Sequence, residues 1–301
     1  MYLCGNSWSP SIINNFVDFI DTIKTFFAYN THNRQFLYYA NIANMNIIQI
    51  PTFTDNYVWL MHEFNNDSAV VVDPGESEPV IEVLNANNLQ LSDILLTHHH
   101  YDHIGGVKKL KQIYPAANIY GPKDIRIPTT IDVKDNQKII LDSINEEFRV
   151  IDVRGHTNSH IAYYFKNKLF CGDTLFSCGC GRLFEGTYND MYKALIKIKN
   201  LPKETMVYCA HEYTLDNIGF AKIVDPKNLD LLEREKEVKD LLKNGFYTIP
   251  SVLENELKIN PFLRFDNTNI ITAVQKHFNV TTNNEAEIFK YTREWKDNEY
   301  D

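Results

Sequence analysis

The chain has 301 residues, 44% hydrophobic and 23% charged, an ordinary globular composition with room for a sizeable core and one or two domains. A net charge of -9 disfavours a nucleic-acid partner, which needs a basic face, but leaves room for a small anionic substrate met by local arginines. Five cysteines, odd in number and without paired CxxC motifs, argue against a disulfide framework or a structural zinc finger and fit a reducing, cytoplasmic setting.

Residues 1–44 stand apart. Ile12, Ile13, Phe16, Phe19, Ile20, Ile23, Phe26 and Phe27 keep helical spacing, while Asn14, Asn15, Asp18 and Asp21 interrupt the apolar run. Those interruptions argue against a membrane span, and the missing basic start argues against a secretory signal. The expectation is an N-terminal extension, helical or a non-native start, with the first domain opening at Met45.

Short apolar strands follow at 47–50, 57–61 and 69–72, broken by Thr54-Asp55-Asn56 and Asn65-Asn66-Asp67. Val80, Val83 and Leu84 predict a helix after Asp73-Pro74-Gly75. Ile94-Leu95-Leu96-Thr97 reads as a buried strand running into His98-His99-His100-Tyr101-Asp102-His103. Ile104, Val107, Leu110 and Ile113 predict the next helix. Further strands are expected at 118–120, 138–141 and 148–153, and a hairpin at 161–165 and 169–171 turns through Lys166-Asn167. A helix over 190–199 precedes a strand over 206–210 that ends at His211. Two sets of strands with helices between them predict a layered α/β sandwich. Beyond His211, helices are expected around Leu231 to Leu242, over 250–257 and over 285–295. The predicted domains are therefore 45–211 and a helical 212–301.

The chemistry concentrates in six residues, 98–103, that hold four of the ten histidines and an aspartate. Imidazole and carboxylate together suit a borderline metal such as zinc. Three more candidate ligands, His156, Asp173 and His211, sit at strand ends, where rigid elements converge groups from distant sequence positions. Counted with His98, His100, Asp102 and His103 they make seven, too many for one tetrahedral ion. They suit two ions that share a carboxylate. The residues alone point to metal-assisted hydrolysis.

The run Thr97 to His103 resembles the HxHxDH signature of the metallo-β-lactamase superfamily. Gly155-His156-Thr157-Asn158-Ser159-His160 and Gly172-Asp173-Thr174-Leu175-Phe176 look like its third-histidine and bridging-aspartate motifs. That resemblance implies an αββα sandwich. It also implies that His98, His100 and His156 hold one metal, that Asp102, His103 and His211 hold the other, and that Asp173 bridges them. His99 and His160 are then not ligands. Asp73 is either a partner to a ligand histidine or a cap on the next helix.

Thr52 to Tyr57, Gly179 to Gly186, His211-Glu212-Tyr213-Thr214 and Asn260-Pro261-Phe262-Leu263-Arg264 are together similar to the glyoxalase II (hydroxyacylglutathione hydrolase) family, from about Met45 to the C-terminus. The resemblance implies hydrolysis of S-(2-hydroxyacyl)glutathione, chiefly S-D-lactoylglutathione, to D-lactate and glutathione, the second step of methylglyoxal detoxification. The implied cofactors are two divalent ions, zinc first with iron or manganese as alternatives, and the nucleophile is a hydroxide held between them. The implied partner is the small-molecule thioester, with no nucleic acid or membrane, and the enzyme is expected to be a monomer. Arg182, Tyr213 and Arg264 match family positions that hold the glutathione moiety. The alternative for Arg264 is a surface salt bridge. Phe184 stands where many members have tyrosine, and Asn267 where animal forms have lysine. A lactonase or another thioesterase of the same fold is the competing activity; nuclease and non-enzymatic readings are disfavoured by the acidic charge and by the complete ligand set.

Overall fold

The computed structural model describes residues 38–40 and 45–300. The expected helix over 12–27 lies outside them. The first sheet has seven strands in the order β1 to β7: β1 Tyr38–Ala40, β2 Met45–Thr52, β3 Asn56–Glu63, β4 Ser68–Val72, β5 Gln90–Leu95, β6 Asn118–Pro122 and β7 Ile131–Val133. The first four pair antiparallel. From β4 onward the pairs are parallel: α1 Glu78–Ala86 crosses from β4 to β5, α2 Tyr101–Ile104 and α3 Val107–Ile113 from β5 to β6, and a loop over 123–130 from β6 to β7.

The second sheet runs β15-β14-β11-β10-β9-β8, from β8 Lys138–Leu141, β9 Glu146–Asp152, β10 Ile161–Phe165, β11 Lys168–Gly172, β14 Met206–Cys209 and β15 Ser251–Val252. Lys166 and Asn167, both at positive φ (41° and 57°), form the two-residue turn between β10 and β11. That conformation matches the twist of paired strands. Helix α4, Tyr188–Lys199, opens on a capping box in which Thr187 and Asp190 satisfy each other's backbone N–H groups, and it carries the chain to β14, parallel to β11.

Alternation along the strands decides the layers. Ile47, Tyr57, Trp59, Met61 and Val72 face the second sheet, in a core shared with Val150, Tyr163, Phe170 and Val207. The intervening Ile48, Ile50, Val58, Leu60 and Val71 face α1 and α3. Polar bonds tie the layers together: Trp59 Nε1 donates to the Cys209 carbonyl (3.0 Å) and the Tyr163 hydroxyl to the Leu96 carbonyl (3.0 Å). This is the αββα sandwich expected from sequence.

The C-terminal part is helical: α5 Thr214–Val224, α6 Leu229–Lys243, α7 Leu253–Ile259, α8 Thr268–Phe278 and α9 Glu285–Glu299. Two of these, α5 and α8, were not expected. Helix α5 buries Thr214 and Asn217 together with its apolar residues, so no clean apolar stripe shows in its sequence. Helix α8 opens on Thr268-Asn269-Ile270-Ile271-Thr272, whose β-branched residues read as strand until packing overrides propensity. The expected helix at Pro250 begins three residues later, since Ser251 and Val252 extend the second sheet beside β14. None of the described helices is long and apolar enough to cross a membrane.

Candidate metal centre

All seven sequence-predicted ligands meet at the ends of the two sheets. His98 and His100 follow β5, and Asp102 and His103 occupy the first turn of α2. His156 follows β9, Asp173 follows β11 and His211 follows β14. They form two donor groups, His98-His100-His156-Asp173 and Asp102-His103-Asp173-His211, each with ligand atoms within 4.8 Å of one another. Asp173 belongs to both.

Hydrogen bonds on the outer side of four histidines determine which nitrogen faces inward. Thr97 Oγ1 gives its proton to Asp73 Oδ2 (2.6 Å), so it accepts from His98 Nδ1 (3.0 Å). His156 Nδ1 donates to the Arg182 carbonyl (2.8 Å), His103 Nδ1 to Asp73 Oδ2 (3.0 Å) and His211 Nδ1 to Asp55 Oδ1 (2.9 Å). Each ring thereby turns Nε2 into the centre, the arrangement that outer partners impose on metal-ligating imidazoles. His100 turns Nδ1 inward, 3.1 Å from His98 Nε2 and 3.0 Å from His156 Nε2. Asp73, which sequence left between two roles, holds His103 and Thr97. Asp55, which sequence placed in a turn and in a family-like stretch without a role of its own, holds His211.

The donor set fits divalent cations. His103 Nε2 and Asp173 Oδ1 are buried without a hydrogen-bond partner, which is costly unless a cation satisfies them. The electrostatics agree. Burial opposes charge on His103 and His211, yet Asp173 and the neighbouring carboxylates outweigh it and push both toward the protonated form. Asp102 and Asp173 are held well below the ordinary carboxylate range despite burial, by these histidines. In the other group burial drives His98 down and brings His100 to about 4, leaving neutral rings with free lone pairs. The centre thus demands positive charge on one side and offers neutral nitrogen on the other.

The remaining two histidines of the motifs do not join either group. His99 faces Glu185 (Nε2–Oε1 3.4 Å). His160 is fully buried, stacked on His98 (4.5 Å between centroids, 16°). Its Nε2 accepts the Asp173 backbone N–H (3.1 Å) and its Nδ1 donates to the Ile161 carbonyl (3.1 Å). It therefore holds the shared aspartate in place.

The centre opens into a cavity of about 500 Å³. Tyr213 lies flat on His211 (4.6 Å, 8°) with Phe176 edge-on behind it (5.2 Å). Phe184 sets its ring edge-on to His100 (5.5 Å) and His156 (5.2 Å) and is 64% exposed. The cations lining the cavity are Arg182, Arg293 and Lys296.

Residues 51–211 match the family model of the metallo-beta-lactamase superfamily, and residues 212–299 match that of the hydroxyacylglutathione hydrolase C-terminus. The hydroxyacylglutathione hydrolase of Aliivibrio fischeri (strain MJ11) is 48% identical over 254 residues, covering 84% of this chain and 99% of that one. The chain belongs to the hydroxyacylglutathione hydrolase family. The hydroxyacylglutathione hydrolase of Nitrosomonas eutropha is 44% identical over 255 residues, with the same coverage of 84% and 99%. ETHE1 from Myxococcus xanthus shares the fold, with a TM-score of 0.55 at 20% identity, covering 86% of this chain and 98% of that one.

One residue expected to face a hydroxyacylglutathione substrate is elsewhere. Arg264 is not in the cavity wall. Its guanidinium pairs with the buried Asp225 (2.7 Å), which ties α5 to the segment before α8. Asn267, read from sequence as the place of an absent cationic contact, caps α8 by accepting from Asn269 N (2.9 Å). Arg293 and Lys296 of α9 were missed. A signal for them exists: Phe289, Thr292, Arg293 and Lys296 follow the i, i+3, i+4, i+7 pattern, which places both cations on the buried stripe of the helix. Cations on such a stripe need polar partners: Arg293 pairs with Asp297 (2.8 Å) and donates to the Cys180 carbonyl (3.0 Å), which holds its guanidinium at the cavity wall.

Proposed function

We propose that this chain hydrolyses the thioester of S-(2-hydroxyacyl)glutathione, chiefly S-D-lactoylglutathione, releasing D-lactate and glutathione. The carrying observation is two donor groups that share Asp173 and face a cavity walled by Arg182, Arg293 and Lys296. His98, His100 and His156 would hold one divalent cation, Asp102, His103 and His211 the other, with Asp173 common to both. When bound, such cations, zinc foremost, supply an acidified solvent nucleophile and polarise the thioester carbonyl.

The chain's own residues do the rest. Asp73, Asp55 and the Arg182 carbonyl hold His103, His211 and His156 by Nδ1, so each ring keeps one orientation throughout turnover. Phe184 and Tyr213 flank the opening and keep bulk water from the reacting carbonyl. Arg182, Arg293 and Lys296 meet the glycyl and γ-glutamyl carboxylates of glutathione, as charge-assisted donors do. Thiolate is a good leaving group, so no protein nucleophile is required. Cys171, Cys178, Cys180 and Cys209 are buried, and burial pushes their thiols up, which suits packing rather than attack.

We assign the chemistry to residues 45–211 and substrate recognition to residues 212–301, which contribute Tyr213, Arg293 and Lys296. The free thiols among the described residues suit a reducing, cytoplasmic setting and the acidic charge a small-molecule substrate rather than a nucleic acid; we take the enzyme to work as a monomer. The test is turnover of S-D-lactoylglutathione by the cation-loaded protein, with metal quantified in the same sample and mass measured by light scattering. Two ions per chain and thiol release are expected. Thioester left intact by protein carrying two ions would refute the reading.

A further inference from the structure

Between Asp173 and Arg182 lies a small hairpin, β12 Leu175–Phe176 and β13 Gly179–Cys180, turning at Ser177-Cys178 with Cys178 at φ 60°. It is buried throughout. Its two ends matter to the metal centre: Asp173 belongs to both donor groups, and the Arg182 carbonyl holds His156. Phe176 and Cys180 line the cavity.

Two strands of two residues cannot fix their own position; the ladder between them is too short. The hairpin is instead held by side chains from the helical part. Glu256 of α7 is fully buried. Its Oε1 accepts from Ser177 Oγ (2.8 Å) and its Oε2 from the Cys178 backbone N–H (2.8 Å). Asn260, also fully buried, donates Nδ2 to the carbonyls of Phe176 (3.1 Å) and Gly179 (3.0 Å) and lies 3.2 Å from Glu256 Oε2. Asn217 of α5 donates to the Ser177 carbonyl (3.1 Å). A Cβ on Gly179 would sit 2.4 Å from the Asn217 side chain, so the fit leaves no slack. The three donors to Glu256 are neutral. A carboxylate buried on such terms costs more than an apolar side chain would, so a packing role alone does not account for it. Its two oxygens read out the turn.

We propose that Glu256 and Asn260 are positioning residues for the metal centre: they template the 175–180 hairpin and through it set Asp173 and the Arg182 carbonyl. They touch neither substrate nor the donor groups. The inference rests on the hydrolase reading above. The helical part would then do more than bind glutathione, since α7 would also govern how firmly the first part retains its cations.

The test compares full-length wild-type protein with Glu256→Ala, Glu256→Gln and Ser177→Ala. Each is assayed for cobalt affinity by competition with a chelator, for the cobalt absorption spectrum, and for KM and kcat at saturating metal. Glutamine keeps the geometry, with its oxygen toward Cys178 N and Asn260 and its amide donating to Ser177 Oγ. It should therefore stay within about threefold of wild type. Alanine at 256 should weaken cobalt retention about tenfold, alter the spectrum and raise KM more than it lowers kcat. Ser177→Ala, which removes one hydroxyl, should move all of these about threefold in the same direction, and it decides the matter if Glu256→Ala does not fold. Wild-type cobalt affinity, spectrum and KM in a folded Glu256→Ala, or in Ser177→Ala if that is the only folded variant, would overturn the proposal. So would glutamine as damaging as alanine. A wild-type protein that binds two ions but leaves the thioester intact would instead refute the hydrolase reading.

Discussion

Alanine in place of Arg264 and of Lys296 separates a fold residue from a substrate residue, although both are cations of the helical part. Arg264 pairs with Asp225, which is 4% exposed; the other side-chain donor to this carboxylate is Asn269 Nδ2, at 3.3 Å. Removing the guanidinium leaves a buried carboxylate without its counter-charge, which costs about 3–5 kcal/mol. For a chain of this length that is a melting temperature lower by about 6–10 °C, at roughly 2 °C per kcal/mol. KM for the glutathione thioester should not move. Lys296 is also buried, but it lines the cavity, and its neighbour Asp216 is 3.6 Å away and mostly exposed. Losing one charge-assisted contact to a substrate carboxylate costs about 1.5–3 kcal/mol, which raises KM roughly 10- to 150-fold and leaves kcat nearly unchanged. Differential scanning calorimetry and steady-state kinetics on both variants read these outcomes. A raised KM without destabilisation for Arg264→Ala, together with a normal KM for Lys296→Ala, would show that the cavity has been assigned to the wrong cations.

Asp55→Ala should weaken metal binding about 10- to 100-fold, because His211 loses the partner that orients it; chelator competition measures this. Gly181→Ala places a Cβ 1.9 Å from the Asp173 carbonyl oxygen, so the shared aspartate must shift, and the metal content of the purified variant should fall below two ions per chain. Arg126 bonds Glu185 and holds its carboxyl at about 2 against an ordinary value of 4.5. A depressed carboxylate contributes stability that is complete above pH 4.5 and is lost as pH falls toward 2. Arg126 also bonds Asp124 (2.6 Å) and holds that carboxyl below its ordinary value of 3.8, so the melting-temperature gap between wild type and Arg126→Met should narrow, without closing, as pH falls from 4.5 to 2. The pair is exposed, so the gap at neutral pH should be on the order of 1 °C.

The part of the chain that carries the donor groups was largely legible because its signals are local. Strands such as Ala69 to Val72 are continuous apolar runs, and Lys166-Asn167 is a turn with no room for another reading. Five candidate ligands, His98, His100, His156, Asp173 and His211, follow strand ends, and Asp102 and His103 open the helix after β5, so locating the strands located the candidate ligands. What sequence could not show is which ring nitrogen turns inward, since that depends on Asp55, Asp73 and the Arg182 carbonyl, up to 156 positions from the histidine they hold. The helical half was harder. Arg264 and Arg293 are both cations on or beside apolar helices, and each pairs with an aspartate, Asp225 and Asp297; only the fold shows that Arg293 lines the cavity and Arg264 does not. Helix α5 hides because its buried face includes Thr214 and Asn217, whose partners, Thr248 and the Ser177 carbonyl, lie far along the chain.

Each donor group draws two ligands from the end of the first sheet and two from the second: His98 and His100 against His156 and Asp173, and Asp102 and His103 against Asp173 and His211. The centre is therefore a caliper across the sandwich. A core substitution that lets one layer slide on the other, at Trp59 or Tyr163 for instance, changes both groups at once. Metal occupancy should register that slip sooner than the melting temperature does, so retained cation becomes a gauge of how well the two sheets are seated.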